Sequence, residues 1–149
     1  MTRFSVDANI LIYMIEAGDP RQAAATDILD RARRADCVIT VQALGEFFFA
    51  TTRKRKLAPE AAIRQVARWS IAFGTPIPHS PAALTDAMAA AATGNVSFWD
   101  AMLLTTAARA GCTALISEDM APGARLGSIR VVPAFAGEEV SPEALALLA

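Results

Sequence analysis

Four acidic residues stand where a carboxylate does little for solubility and much for chemistry. Asp7 directly follows the β-forming run Phe4 to Val6. Glu46 lies in the first two turns of a helical segment that Phe47, Phe48 and Phe49 wrap in apolar surface. Asp100 stands near the start of a segment in which Trp99 and Ala101 to Ala108 carry no charge, and a helix apolar on nearly every side is a buried one. Asp119 follows the apolar run Thr113 to Ser117 with one residue between.

Each acid has an ordinary role available. Asp7 or Asn9 suits a helix cap. Ser97 to Asp100 fits a capping box, in which the Asp100 side chain bonds back to the Ser97 N–H. Glu46 extends a solvated stripe with Gln42 and Arg53, and Glu118-Asp119 forms a turn. These roles explain the acids one at a time and do not explain why all four fall at one edge of one sheet.

Carboxylates gathered within a few ångströms repel one another and raise their own pKa values unless a cation lies between them. The chain has one histidine, His79, and two cysteines, Cys37 and Cys112, with no CxxC spacing. That inventory offers no His-based zinc site and no nucleophilic triad. Oxygen donors alone suit Mg²⁺ or Mn²⁺, ions that assist phosphodiester hydrolysis.

The elements that must position these acids follow from periodicity. Short buried runs at Phe4–Val6, Cys37–Thr40, Thr113–Ser117 and Ser128–Val132, with a marginal one at Ile77–His79, alternate with helical patterns and show no hairpin turns between them. Such alternation predicts parallel strands with right-handed crossovers, hence an α/β sandwich with a parallel sheet of four to five strands between helices. Ligands of such sheets bind outside the carboxyl ends of the strands. Asp7 and Asp119 follow strands, Glu46 is in a helix leaving one, and Asp100 begins a helix that must run back from the same edge.

The 149 residues suit one domain, residues 1–149. A 54% hydrophobic, Ala-rich composition fits helices on both faces of the sheet. The apolar run Ile10 to Ile15 is too short to span a bilayer and follows Asp7 and Asn9, which predicts a cytoplasmic protein without membrane contact. Net charge is −1, yet seven of the fourteen basic residues fall in two knots, Arg31, Arg33, Arg34 and Arg53, Lys54, Arg55, Lys56. Either knot can close a helix; the second can also meet phosphates.

Four stretches, "FSVDANILIY", "TVQALGEFF", "FWDAMLLTTAARAGCTALISEDM" and "IRVV", resemble in order the signatures of PIN-domain ribonucleases, in particular the VapC-like toxins of type II toxin–antitoxin pairs. The similarity spans about residues 3–132 and leaves 133–149 as a C-terminal tail, of which "SPEALALLA" has the pattern of a short helix. The resemblance implies a PIN-like three-layer sandwich, Mg²⁺- or Mn²⁺-dependent endoribonuclease activity, a homodimer, and a small antitoxin whose tail occupies the active-site groove. It matches the family's acids to Asp7, Glu46, Asp100 and Asp119, with Asn9 as a polar helper and Ser117 as the hydroxyl of an S/T-x-D turn. Asp7, Asp100 and Asp119 then hold the metal directly or through water, and Glu46 orients the attacking water.

Rival designs lack their own marks. A haloacid-dehalogenase-type phosphatase needs D-x-D after the first strand, where this chain has Asn9. A response-regulator receiver pairs acids there and places a lysine after a late strand, and "SIRVVP" has none. A flap-type DNA nuclease needs an arch or clamping insertion. A metal-binding, non-catalytic interaction module and a phosphatase-type phosphoryl-transfer enzyme stand as the alternatives.

Overall fold

The computed structural model describes residues 2–53 and 57–149. In chain order its elements are β1 (Phe4–Val6), α1 (Ala8–Ile15), α2 (Gln22–Ala32), α3 (Val41–Arg53), α4 (Pro59–Ala72), α5 (Pro81–Ala92), α6 (Phe98–Arg109), β2 (Ala114–Ser117), β3 (Arg125–Leu126), β4 (Ile129–Pro133), β5 (Phe135–Ala136), β6 (Glu139–Val140) and α7 (Pro142–Leu148). Local chemistry sets several starts. Ser80, Ser97 and Ser141 each accept, through the hydroxyl, the N–H three residues on, capping α5, α6 and α7. Proline opens α4, α5 and α7, where its missing N–H costs nothing.

The main sheet has the order β1-β2-β4-β3. β1 and β2 are parallel with Val6 opposite Ile116, and β2 and β4 are parallel with Ser117 opposite Pro133. The α/β sandwich expected from the sequence is present, with one departure at its edge. β3 runs antiparallel to β4 through a hairpin at Gly127-Ser128, where Gly127 takes φ +61°, the left-handed backbone that a tight two-residue hairpin turn requires.

Beyond β1 the two other expected strands shrink to single bridges, Phe4 with Cys37 and Thr40 with Ile77. The reason at Ile77 is its neighbours: Pro76 and Pro78 have no N–H, so only Ile77 pairs, donating to the Ile39 carbonyl and accepting from Val41. Even so, these extended segments carry the sheet past β1. The chain therefore moves outward from β1 in one direction first and returns on its other side as β2, which makes the β1/β2 crevice the topological switch point.

Both faces are covered. Ala114 and Ile116 of β2 point into the core with β1, α1, α2 and α3, whereas Leu115 packs with Leu103, Leu104 and Ala107 of α6. Every residue of α6 from Ala101 to Ala107 is buried, because α5 closes its far side through Ala83 and Ala87. The segment 133–149, expected as a tail, is part of the packing: Ala134, Ala144 and Leu148 lie in the main core. Ala144 and Leu148 are four apart and so share one helix face. Cys37 and Cys112 are free and buried, as expected of small apolar side chains, and burial raises both thiols, Cys112 up to about 12. Among the described residues no helix is long and apolar enough to cross a membrane.

Candidate active site

Asp7 stands at the switch point and serves two elements. Its N–H continues the ladder to the Ile116 carbonyl at 2.9 Å, and its Oδ1 accepts from the Ala8 N–H at 2.7 Å, capping α1. Oδ2 accepts from Ser117 Oγ at 2.8 Å, so the last residue of β2 holds the acid that follows β1. Ser117 Oγ also accepts from the Met120 N–H at 3.4 Å, closing the turn that carries Asp119.

Only 8% of Asp7 is exposed. Burial pushes its carboxyl up from an ordinary 3.8 to about 6; the Ser117 hydroxyl and Ala8 N–H hold it down, and the charges of Glu46 and Asp119 add to the rise. Residues far apart in sequence are thereby brought within electrostatic reach of one another. Glu46, from the second turn of α3, and Asp119, past the end of β2, are both exposed.

Gln42 is the residue that sequence reasoning missed. Its Nε2 donates to Glu46 Oε1 at 2.8 Å and to the Trp99 carbonyl at 3.0 Å. One amide nitrogen thus ties the acid on α3 to the first turn of α6, where Asp100 follows Trp99. The expected solvated stripe is overturned for Gln42, which is 8% exposed, because the α6 backbone lies against it. The i, i+4 spacing of Gln42 and Glu46 was a usable signal; the approach of Trp99 had none.

At Asp100, the cap is Ser97, whose Oγ accepts from the Asp100 N–H at 3.2 Å. The cap uses the Asp100 amide and leaves its half-buried carboxylate out. Glu118 is drawn elsewhere: the Tyr13 hydroxyl donates to its Oε1 at 2.6 Å, and Arg21 Nη1 reaches both its oxygens at 3.0 Å. Arg21 also bonds Asp19 and lies 4.0 Å from the Tyr13 ring centre. Glu118 is therefore a structural acid beside Asp119. Arg53 is exposed, its guanidinium 5.1 Å from the Phe49 ring centre; Lys54, Arg55 and Lys56 lie outside the described residues.

Among the described residues no three His, Cys, Asp or Glu side chains stand close enough to hold one metal ion together. The donor chemistry still suits a hard cation. Asp7 is a fixed, buried carboxylate with two acids acting on it, and exposed Glu46 and Asp119 are not locked by packing. Asn9, two residues on from Asp7, has both amide atoms buried without a partner, a cost that a ligand would relieve.

The PIN domain family model matches residues 5–121 of the chain, a span that includes Asp7, Glu46, Asp100 and Asp119. No curated protein matches in sequence. Among solved structures, the chain is similar to VapC20 of Mycobacterium tuberculosis, a sarcin–ricin loop cleaving toxin. The identity is 19% and the TM-score 0.62, over 75% of this chain and 86% of that one. At that identity the likeness is one of fold. With four-fifths of the chain inside the family match and the fold in agreement, the protein belongs to the PIN domain family.

Proposed function

We propose that the chain is a Mg²⁺- or Mn²⁺-dependent endoribonuclease, the toxin of a type II toxin–antitoxin pair, working as a homodimer and restrained by a small antitoxin. The observation that carries this reading is Asp7: a carboxylate at the switch point, buried, fixed by Ser117 and Ala8, and close enough to Glu46 and Asp119 to feel their charge. Family membership and the fold shared with VapC20, a sarcin–ricin loop cleaving toxin, support nuclease chemistry over the other uses of an acidic pocket.

Asp7, Asp100 and Asp119 would hold the cation, with Asn9 able to relieve its buried amide in the same place. When bound, such an ion neutralises phosphate charge and favours ionisation of water. The protein's own groups do the rest. Ser117 keeps the Asp7 carboxylate in one orientation while it bridges β1 and β2. Glu46 accepts the proton of the attacking water and orients it, and Gln42 fixes the Glu46 side chain through one of its oxygens, leaving the other free for that water. The tie from Gln42 to the Trp99 carbonyl keeps Glu46 and Asp100 on a common frame.

The test is cleavage of total cellular RNA by purified protein in Mg²⁺, Mn²⁺ or EDTA, beside Asp7→Asn prepared identically. Discrete products from wild type alone, abolished by EDTA, are expected. Intact RNA from folded, antitoxin-free protein would favour a second reading, a metal-binding interaction module without catalysis.

A further inference from the structure

We infer that Trp99 and Phe49 are stacking platforms for the bases of a single-stranded RNA on either side of Glu46, with Arg53 taking a backbone phosphate; this rests on the nuclease reading above. Both rings are 60% exposed, an unusual position for two large aromatics beside an acidic site. By contrast, the other tryptophan, Trp69, is 5% exposed and packed edge-on against Phe47 at 4.7 Å.

The placement of the two rings is what points to RNA. On α3, Gln42, Glu46, Phe49 and Arg53 follow one another at spacings of four, three and four, so they lie along one helix face. At one end of that stripe Gln42, which also holds Glu46, donates to the Trp99 carbonyl, so the first turn of α6 that carries Trp99 lies beside the acid. At the other end the Arg53 guanidinium lies against the Phe49 ring and opens, in sequence, a run of four cations through Lys56. The stripe therefore reads aromatic, acid, aromatic, cation.

The indole is braced but open. The His79 ring lies 6.5 Å from the Trp99 ring, and the Phe98 ring braces the indole edge-on at 4.9 Å, restricting its motion without covering it. A protein helix seeking apolar contact finds a better surface nearby, a groove of about 420 Å³ lined by Val41, Leu44, Phe48, Ile63, Val66 and Pro76. Bases have π-faces that stack on aromatic rings regardless of sequence, whereas their phosphates need cations. A strand lying along the stripe would place the phosphate between two stacked bases near Glu46.

The experiment uses Trp69→Phe as background, leaving Trp99 as the sole indole, and a short single-stranded RNA oligonucleotide in EDTA so that nothing is cut. Binding is followed by RNA anisotropy and by indole emission. The platform predicts quenching of Trp99 on binding and a loss of affinity of about ten-fold for Trp99→Ala and for Phe49→Ala, with Trp99→Phe keeping most of it. In cleavage the same variants raise KM and leave kcat nearly unchanged. Metal-dependent cleavage by wild type, together with unchanged RNA affinity and KM in the Trp99→Ala/Phe49→Ala double variant, overturns the platform and leaves the nuclease reading standing. Quenching and ring-dependent binding without cleavage in either metal keep the platform and overturn the nuclease. A double variant that binds RNA as wild type does but falls apart from a dimer in solution assigns the rings to a protein contact and also overturns the platform.

Discussion

Ser117 Oγ donates to Asp7 Oδ2 at 2.8 Å across 110 residues of chain, joining the carboxyl ends of the two strands that frame the switch point. This bond only partly offsets the cost of burying the Asp7 charge. The carboxyl rises from 3.8 to about 6 in the folded protein.

A raised carboxyl means that the folded state binds the proton more tightly than the unfolded chain. Below pH 3.8 the acid is neutral in both states and costs nothing; across 3.8 to 6 stability falls, and above 6 the loss is complete. The size is about 2–3 kcal/mol. Metal-free Asp7→Asn is therefore expected to melt about 5 °C or more above wild type at pH 7, to match it near pH 4, and to cut no RNA. Thermal unfolding in EDTA at the two pH values checks this; equal melting at pH 7 would mean the charge is already neutralised by protein.

Divalent metal should close that gap. Any ion that binds only the folded state stabilises it, by about 2.7 kcal/mol at a hundred times its dissociation constant. Mn²⁺ is expected to raise the melting temperature of wild type, to do so less for Asp100→Asn and Asp119→Asn, and to leave Asp7→Asn unmoved. A wild-type protein indifferent to Mn²⁺ would reduce Asp100 to a bystander of its helix cap.

Ser117→Ala removes the hydroxyl that holds the Asp7 carboxyl down. The acid limb of the cleavage-rate profile should move to higher pH, with a stability loss of about 1 kcal/mol from the vanished hydrogen bond. An unmoved limb would show that the limb belongs to a group other than Asp7.

Gln42→Met keeps the side-chain volume and removes both bonds that tie Glu46 to the start of α6. Because the Gln42 Oε1 is buried without a partner, its loss offsets part of the broken bonding. The expected outcome is a melting temperature within a few degrees of wild type and a kcat lower by about ten-fold. Comparable loss in Gln42→Met and Glu46→Gln, without addition in the double variant, would show that the two act as one unit.

Glu118 and Asp119 are adjacent acids with opposite fates. Glu118 is engaged by Tyr13 and Arg21, so Glu118→Gln should cost about 1 kcal/mol of stability and keep most cleavage. Asp119→Asn should keep stability and lose cleavage. Parallel denaturant melts and RNA assays on the two variants separate these roles.

Much of this was legible in the chain because it depends on near neighbours. The caps at Ser97 and Asp7, the prolines that open three helices, and the charge-free surface that buries α6 all act within a few residues. So does the rule that acids following parallel strands share an edge, which placed Asp7 and Asp119 correctly. The hairpin at Gly127-Ser128 was passed over because its first strand is only two residues long, below the length at which alternation shows.

Tertiary structure alone decided which partner each acid received. Asp7 takes its hydroxyl from Ser117 because the register of β1 against β2 puts Ile116 opposite Val6. Gln42 is buried, and Glu46 held, because α6 arrives with the Trp99 carbonyl at one place and not a turn away. Glu118 is diverted from the site because the loop after α1 sets Arg21 over Tyr13. The sequence by itself determined the elements and the edge on which the acids fall, since helical and strand periods and caps are short-range. The pairing of side chains across that edge follows from register and packing, which sum contacts over the whole core.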